Sequence, residues 1–306
     1  MSRVLIWAQG YETIFLSEAI NNLGKLVNGC NIVGITGETE RNNIYVNGEA
    51  IPFIPLDRLN AQMADYVIVS EAKVQYIEVS RKLQQRGFSA DVIIRDVTIC
   101  VPGFTLEKYY QLKVSQLSIL SMNCFGGVVC NLMGMQFNSP FINMFLSEED
   151  FLSMLEQDPR YSLTGSLKLV RTVHEDKLDI MYPVYELNGI ELNMNHYADF
   201  NEARNKWYER LQRVNWYNLL IAMYTDSKEV LQRFDRLPFG KKVCFVPFES
   251  DLPSAFPFDR NKLGIKIPTW DMATRIANGS VLVYDLWDML LYGKKTPIEN
   301  RVRNII

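Results

Sequence analysis

Residues Leu117–Phe151 read LSILSMNCFGGVVCNLMGMQFNSPFINMFLSEEDF, and the order of apolar runs and breaks in this stretch decides the fold class. Ile119, Leu120 and Met122 form a short apolar run of strand type. Asn123-Cys124-Phe125-Gly126-Gly127 then interrupts it, an apolar segment of helical length continues to Met133, and Phe141 to Leu146 is a second strand-length run. Strand, glycine turn, helix and strand in that order predict a parallel α/β unit. In open α/β sheets, ligands sit at the carboxyl ends of the strands, so the turn is the first candidate site.

The same alternation extends toward the amino terminus. Val4–Trp7, Ile32–Thr36, Ala50–Ile54, Tyr66–Ser70 and Val92–Ile94 read as strands. Helical patterns fall between them, one carrying Leu16, Ala19, Ile20 and Leu23, the other running from Val74 to its stop at Gly87. This is a Rossmann-like arrangement with a mostly parallel sheet. Its first turn meets the three glycine positions of a dinucleotide fingerprint at Ala8, Gly10 and Thr13, so only Gly10 is offered to a cofactor and the reading as a purely structural module stands beside it. The Pro-Gly break and tyrosine-rich turn within Asp96–Gln116 set a boundary there, with a first domain over 1–110 and a second, larger α/β or mixed-sheet domain over 111–306.

Toward the carboxyl terminus, Ser147 with Asp150 three residues on starts a helix that Asp158-Pro159 stops. Leu167–Thr172, Met181–Tyr185 and Ile190–Met194 read as strands, the last delivering Asn195-His196-Tyr197. Asp199 and Glu202 begin a helix from Phe200 to about Asn215, with Ala203, Trp207, Leu211 and Val214 on its apolar face. Leu219–Tyr224 and Val243–Val246 are further strands, Pro247–Pro257 is a loop, Trp270–Ala277 and Val281–Leu291 are helices, and the residues from Lys294 are a loosely held tail.

A net charge of -3 supplies no broad positive field, which disfavours nucleic acid and leaves small anions open. Five scattered cysteines without a CxxC pair argue against a disulfide framework or a structural zinc site. No apolar run approaches the roughly 18 to 20 residues that span a bilayer. These features lead to the expectation of a cytoplasmic protein, with peripheral association at a membrane or a glycan-assembly partner left open.

Several residues have the right chemistry for a site. Asn123, Gly126 and Gly127 open a helix, where backbone N–H groups and the helix dipole favour a phosphate or carboxylate; the alternative is glycines that only admit close packing. Cys124 at that helix start is a candidate nucleophile with His196 as its base, and His196 beside Asn195 and Tyr197 is a candidate base by itself. Lys206, Arg210 and Arg213 form a basic stripe suited to a diphosphate, although Glu202 and Glu209 at the i, i+4 spacing also describe a solvated face. Asp226 stands at a strand end as a ligand-binding acid. No metal set and no cofactor is specified.

Asn123-Cys124-Phe125-Gly126-Gly127, Ser139-Pro140, Tyr182-Pro183-Val184, His196-Tyr197, Lys206-Trp207, Arg210 with Arg213 and Asn215, and Phe234-Asp235-Arg236-Leu237-Pro238-Phe239 occur in an order that resembles a bacterial domain-of-unknown-function family associated with exopolysaccharide biosynthesis. The resemblance covers Leu117 to Phe248, with Phe125 where that family usually carries tryptophan. The first domain is similar to the Rossmann-like module that precedes bacterial sugar-modifying proteins, including sugar acetyltransferases, through Val33-Gly34-Ile35, Ile51-Pro52-Phe53 and Asp65-Tyr66-Val67-Ile68-Val69. The resemblance implies a role with surface glycans. Three functions follow as expectations: a transferase acting on an activated sugar or glycan precursor such as a nucleotide sugar, a cysteine-dependent acyl transferase or hydrolase, or a non-catalytic sugar- or nucleotide-binding accessory protein.

Overall fold

The structure, a computed structural model of the chain, describes residues 2–8, 15–24, 30–39, 44–46, 49–71, 73–176 and 179–303. The chain divides into two compact units, Met1–Lys113 and Val114–Ile306. Gly10, the proposed cofactor contact, lies outside the described residues.

In the first unit the elements follow as β1 (Ser2–Ala8), α1 (Phe15–Gly24), β2 (Cys30–Thr36), β3 (Ile44–Val46), β4 (Glu49–Ile51), β5 (Tyr66–Ser70), α2 (Lys73–Gln85), β6 (Ile93–Arg95), α3 (Asp96–Ile99) and α4 (Leu106–Val114). The main sheet runs β2-β1-β5-β6 and every pairing in it is parallel. Strand order reverses between β1 and β5, the arrangement of a Rossmann-like half. Val4 to Ala8 and Val67 to Ser70 are buried, which explains why these strands read as continuous apolar runs rather than alternating ones. The expected strand Ala50–Ile54 is shorter. Only Glu49–Ile51 pairs, as a hairpin with β3, and Phe53 adds a single parallel bridge to Ile35 because Pro52 has no N–H to give.

The second unit contains β7 (Ser118–Ser121), α5 (Phe125–Leu132), α6 (Glu148–Glu156), α7 (Pro159–Ser162), β8 (Lys168–Glu175), β9 (Ile180–Leu187), β10 (Ile190–Asn193), α8 (Phe200–Leu211), β11 (Leu219–Tyr224), α9 (Lys228–Asp235), β12 (Lys242–Val246), β13 (Ala255–Pro257), α10 (Arg260–Leu263), α11 (Thr269–Ala277), β14 (Val281–Tyr284), α12 (Leu286–Tyr292) and β15 (Pro297–Val302). Its parallel sheet runs β13-β12-β11-β7, and an antiparallel sheet runs β10-β9-β8. The chain is thus α/β throughout, with a parallel sheet in each of two different units. In the second unit the strand order never reverses, so that sheet has no switch-point crevice.

Three expectations are corrected here. Phe141–Leu146 is not a strand of the sheet: β11 takes the place beside β7, and the run crosses as buried irregular chain with Asn143 at φ 63 and one bridge from Phe145 to Asn193. Burial rather than pairing makes it apolar, since Phe141, Ile142, Met144 and Leu146 are all 2% exposed or less. Phe141 meets Trp207 at 5.6 Å and Phe151 at 6.3 Å, both edge to face. Second, Val281–Leu291 is strand β14 and then helix α12, because Asp285 accepts from the backbone N–H groups of Trp287 and Asp288 and starts the helix afresh. Third, the tail is held: β15 pairs antiparallel with β14.

The helix starts agree with the expected caps. Ser147 accepts from the N–H of Asp150, and Asp199 from that of Glu202. Helix α8 ends at Leu211, earlier than expected, with Ala203, Trp207 and Arg210 buried. Among the described residues no helix is long and apolar enough to cross a membrane.

Candidate functional site

The turn after β7 is closed upon itself. Ser121 Oγ donates to the carbonyl of Asn123 at 2.8 Å and accepts from the N–H of Gly126 at 3.0 Å, and Asn123 Oδ1 accepts from the N–H of Phe125 at 3.1 Å. Asn123 Nδ2 reaches across to the carbonyl of Trp270 at 3.2 Å, at the start of α11. A Cβ on Gly126 would stand 2.7 Å from Ser121 Oγ, and one on Gly127 would stand 3.2 Å from Ile142 Cγ2. Of the anion cradle expected from Asn123, Gly126 and Gly127, the N–H of Gly126 is taken by Ser121. The glycines also let the helix lie close against β7 and the Phe141–Leu146 segment.

Cys124 Sγ lies 3.9 Å from the carbonyl of Met144, and burial pushes its thiol up. His196 is exposed; its N–H donates to the carbonyl of Asn143, and its ring Nε2 lies 3.4 Å from Asn195 Nδ2. Partial burial lowers the His196 pKa, which favours the neutral ring. No hydrogen bond or ion pair joins Cys124 to His196, so the cysteine nucleophile with its own base is not assembled. Asn195 Oδ1 is buried and has no partner.

The basic stripe splits. Lys206 on α8 and Arg213 in the turn after it, both half-buried, each bind Glu209 at 3.3 Å, and the Nε of Arg213 is buried without a partner. Arg210 is 8% exposed and has no carboxylate within ion-pair distance. Its guanidinium donates to the hydroxyl of Tyr197 and stands 5.5 Å from the centre of the Phe137 ring. Tyr197 is itself 7% exposed and donates to the carbonyl of Ile142 at 3.2 Å; burial raises its pKa, with the positive Arg210 opposing. Sequence periodicity alone does not show this: spacing places Arg210 between Lys206 and Arg213 on one stripe, and only the fold buries it.

Asp226 follows β11, where Thr269 donates to Oδ1 and Arg260 lies 3.8 Å away. Next to it, burial together with the carboxylates of Glu148 and Asp226 pushes the Tyr224 phenol up to about 12. Asp235 accepts from the N–H and hydroxyl of Ser254 and acts as a loop tie. Among the described residues no three His, Cys, Asp or Glu side chains gather as metal ligands. Arg260 and Thr269 were not among the candidates read from sequence. Chain order does not reveal that a residue after β13 returns to the end of β11.

Comparison with known proteins gives a family and little else. A protein of Haemophilus influenzae described only as uncharacterized is 36% identical over 149 residues, covering 47% of this chain and 68% of that relative. The crystal structure of aspartate semialdehyde dehydrogenase II complexed with ASA from Vibrio cholerae aligns over 83% of this chain and 84% of that one, but at 9% identity and a TM-score of 0.27 it carries no inference. The pattern described as "Domain of unknown function (DUF1919)" matches residues 98–291, beyond both ends of the stretch whose motifs carried the resemblance. The match spans well over half of the sequence, and the chain belongs to the DUF1919 family.

Proposed function

We propose that the second unit binds the phosphate of an activated sugar or glycan precursor at Arg210 and transfers the sugar to an acceptor hydroxyl. One observation carries this reading: Arg210 is a buried guanidinium with a phenol and an aromatic face for company and no carboxylate within ion-pair distance, Glu209 acting on it only from farther off. Burying a charge without an opposite charge costs several kcal/mol, of order 3 to 5 when one partner of a buried pair is missing. An incoming phosphate offsets that cost, and guanidinium matches it with two parallel hydrogen bonds.

In the transfer step, neutral His196 takes the proton of the acceptor hydroxyl. The acceptor oxygen bonds to the anomeric carbon, the bond from that carbon to the phosphate oxygen breaks, and the departing phosphate keeps the electron pair beside Arg210. The lowered pKa of His196 keeps it ready as a base near neutral pH. The resemblance to proteins associated with exopolysaccharide biosynthesis supports a sugar substrate. The cysteine-dependent reading loses ground because the thiol is pushed up and makes no hydrogen bond to His196.

The test is calorimetric titration of the full chain with uridine diphosphate and uridine diphosphate-glucose, alongside acyl-CoA and NAD. Binding of the diphosphates that disappears in Arg210→Met supports the reading. Diphosphate affinity that is equal in the variant, or binding of acyl-CoA or NAD alone, overturns it. Binding without turnover on any sugar acceptor would leave the accessory role in place of the transferase.

A further inference from the structure

Beyond the end of β13 the chain forms an open cleft of about 610 Å³, lined by Arg260, Asn261, Ile265, Lys266, Ile267 and Pro268 among others. A volume of this size suits a small organic ligand. Asp259 holds the segment's shape by accepting from the N–H groups of Asn261 and Lys262. The Arg260 guanidinium lies 5.5 Å from the centre of the Phe258 ring and donates to Thr269 Oγ1 at 2.7 Å, so its orientation is set from two sides. Its Nε is buried without a partner. Asp226, at 3.8 Å, is its ion-pair partner, is itself 68% exposed, and like the neighbouring Asp259 does not line the cleft.

Both charged residues lining the cleft are positive. Lys266 is exposed and has no ion-pair partner, while the whole chain carries a net charge of -3. A local positive concavity on an acidic protein selects anions. The walls from Ile265, Ile267 and Pro268 are apolar and suit the C–H face of a ring. Hydrogen bonds link the wall of the cleft to the turn after β7: Thr269, which receives the Arg260 hydrogen bond, begins α11, and the next carbonyl, that of Trp270, accepts from Asn123 at the end of β7.

We infer that this cleft is a second binding site, for a small ring-bearing molecule with one carboxylate or phosphate, held at Arg260 and Lys266. Its assignment as the place of the acceptor rests on the transfer reading; the binding itself does not.

The experiment titrates the full chain with glucuronate, glucose 1-phosphate and neutral glucose, followed by calorimetry and by the methyl resonances of Ile265 and Ile267. The expected result is binding of at least one charged probe with shifts of both methyls, no binding of glucose at the same concentration, and a loss of at least tenfold in affinity in Lys266→Glu and in Arg260→Gln. Lys266 is exposed and outside the core, so its variant keeps the fold even if Arg260→Gln does not. Preference for glucuronate names a carboxylate ligand, and preference for glucose 1-phosphate names a phosphate. The inference is overturned if no probe binds, if glucose binds as well as the anions, or if Lys266→Glu binds like the unaltered chain. Arg210→Met separates the two sites: cleft binding that survives it while diphosphate binding is lost supports two sites, and charged-probe binding lost in Arg210→Met but kept in Lys266→Glu sinks the cleft alone.

Discussion

Arg210 on α8 donates its guanidinium hydrogen to the hydroxyl of Tyr197, which passes its own hydrogen to the carbonyl of Ile142. The chain of contacts ties a helix, the turn after β10 and the irregular Phe141–Leu146 segment together without any acid. A cation so placed is a cost to the empty protein and an asset to the occupied one. Arg210→Met should therefore leave the melting temperature of the ligand-free chain unchanged or raise it, because an apolar side chain of similar length removes a buried charge that has no ion-pair partner. The diphosphate-induced rise should vanish, a loss of about 1.5 to 3 kcal/mol in binding. A lowered melting temperature with ligand response intact would assign Arg210 a purely structural role.

The Cys124 thiol, half-buried and pushed up, should react with iodoacetamide more slowly than a free thiol at pH 7.5, and its rate should still be climbing above pH 9. Cys124→Ser should keep diphosphate affinity within about threefold, since the contact with the Met144 carbonyl is weak at 3.9 Å. Fast alkylation at neutral pH, read by mass spectrometry, would restore the nucleophile reading.

At Gly126 a methyl group would lie 2.7 Å from Ser121 Oγ and 3.3 Å from Ile119 Cγ2. Gly126→Ala should destabilise the chain by about 1 to 3 kcal/mol through overpacking and loss of the Ser121 hydrogen bond. Gly127→Ala meets only the Ile142 side chain at 3.2 Å and should cost less. Denaturant titration measures both. A loss of anion affinity without a loss of stability would revive the backbone cradle.

Arg233 on α9 grips Glu149 and Glu156 on α6, each at 2.6 Å, and holds both carboxyls below their usual range while its own pKa rises. Carboxyls whose folded pKa is depressed stabilise above their unfolded value, near 4.3, and the benefit is lost as pH falls through the folded one. Arg233→Ala should lower the melting temperature slightly at pH 7, less in high salt because the groups are exposed. The difference from the unaltered chain should shrink as pH falls from about 4.3 through the lower folded values. A gap that does not shrink at all on acidification would mean that packing, not charge, carries the effect.

His196 has a folded pKa lowered by burial, so the unfolded chain takes up the proton first as pH falls. Stability is unaffected above the unfolded value of about 6.5 and declines as pH drops from there. His196→Gln should flatten the decline between about pH 7 and pH 5 in thermal melts. An unchanged slope would show that other groups account for it.

Much of the local structure is legible from sequence. Tyr66–Ser70 and Leu219–Tyr224 are strands where they were expected, and the caps at Ser147 and Asp199 start their helices because a side-chain oxygen three residues ahead of an N–H needs no distant partner. Phe141–Leu146 misled for a physical reason. An apolar run states that a segment is buried and says nothing about whether its backbone finds a neighbouring strand. Val281–Leu291 hid a strand and a helix in one apolar stretch, and Asp285 was the signal that separates them.

The site shows the same division. Residue type and spacing along the chain select Asn123, Cys124, His196 and Arg210 as chemically capable, because those are properties of side chains and of local geometry. Which of them is free to act depends on what arrives from elsewhere: Ser121 and Trp270 occupy the polar groups of the turn, Glu209 takes Lys206 and Arg213, and burial beside Tyr197 leaves Arg210 without a carboxylate in ion-pair reach. The sequence by itself determined an α/β chain of two units and a short roster of reactive groups, since periodicity and capping act over a few residues. The tertiary structure decided which charges stay unpaired and brought Arg260 back to Asp226, since desolvation and pairing depend on neighbours distant along the chain.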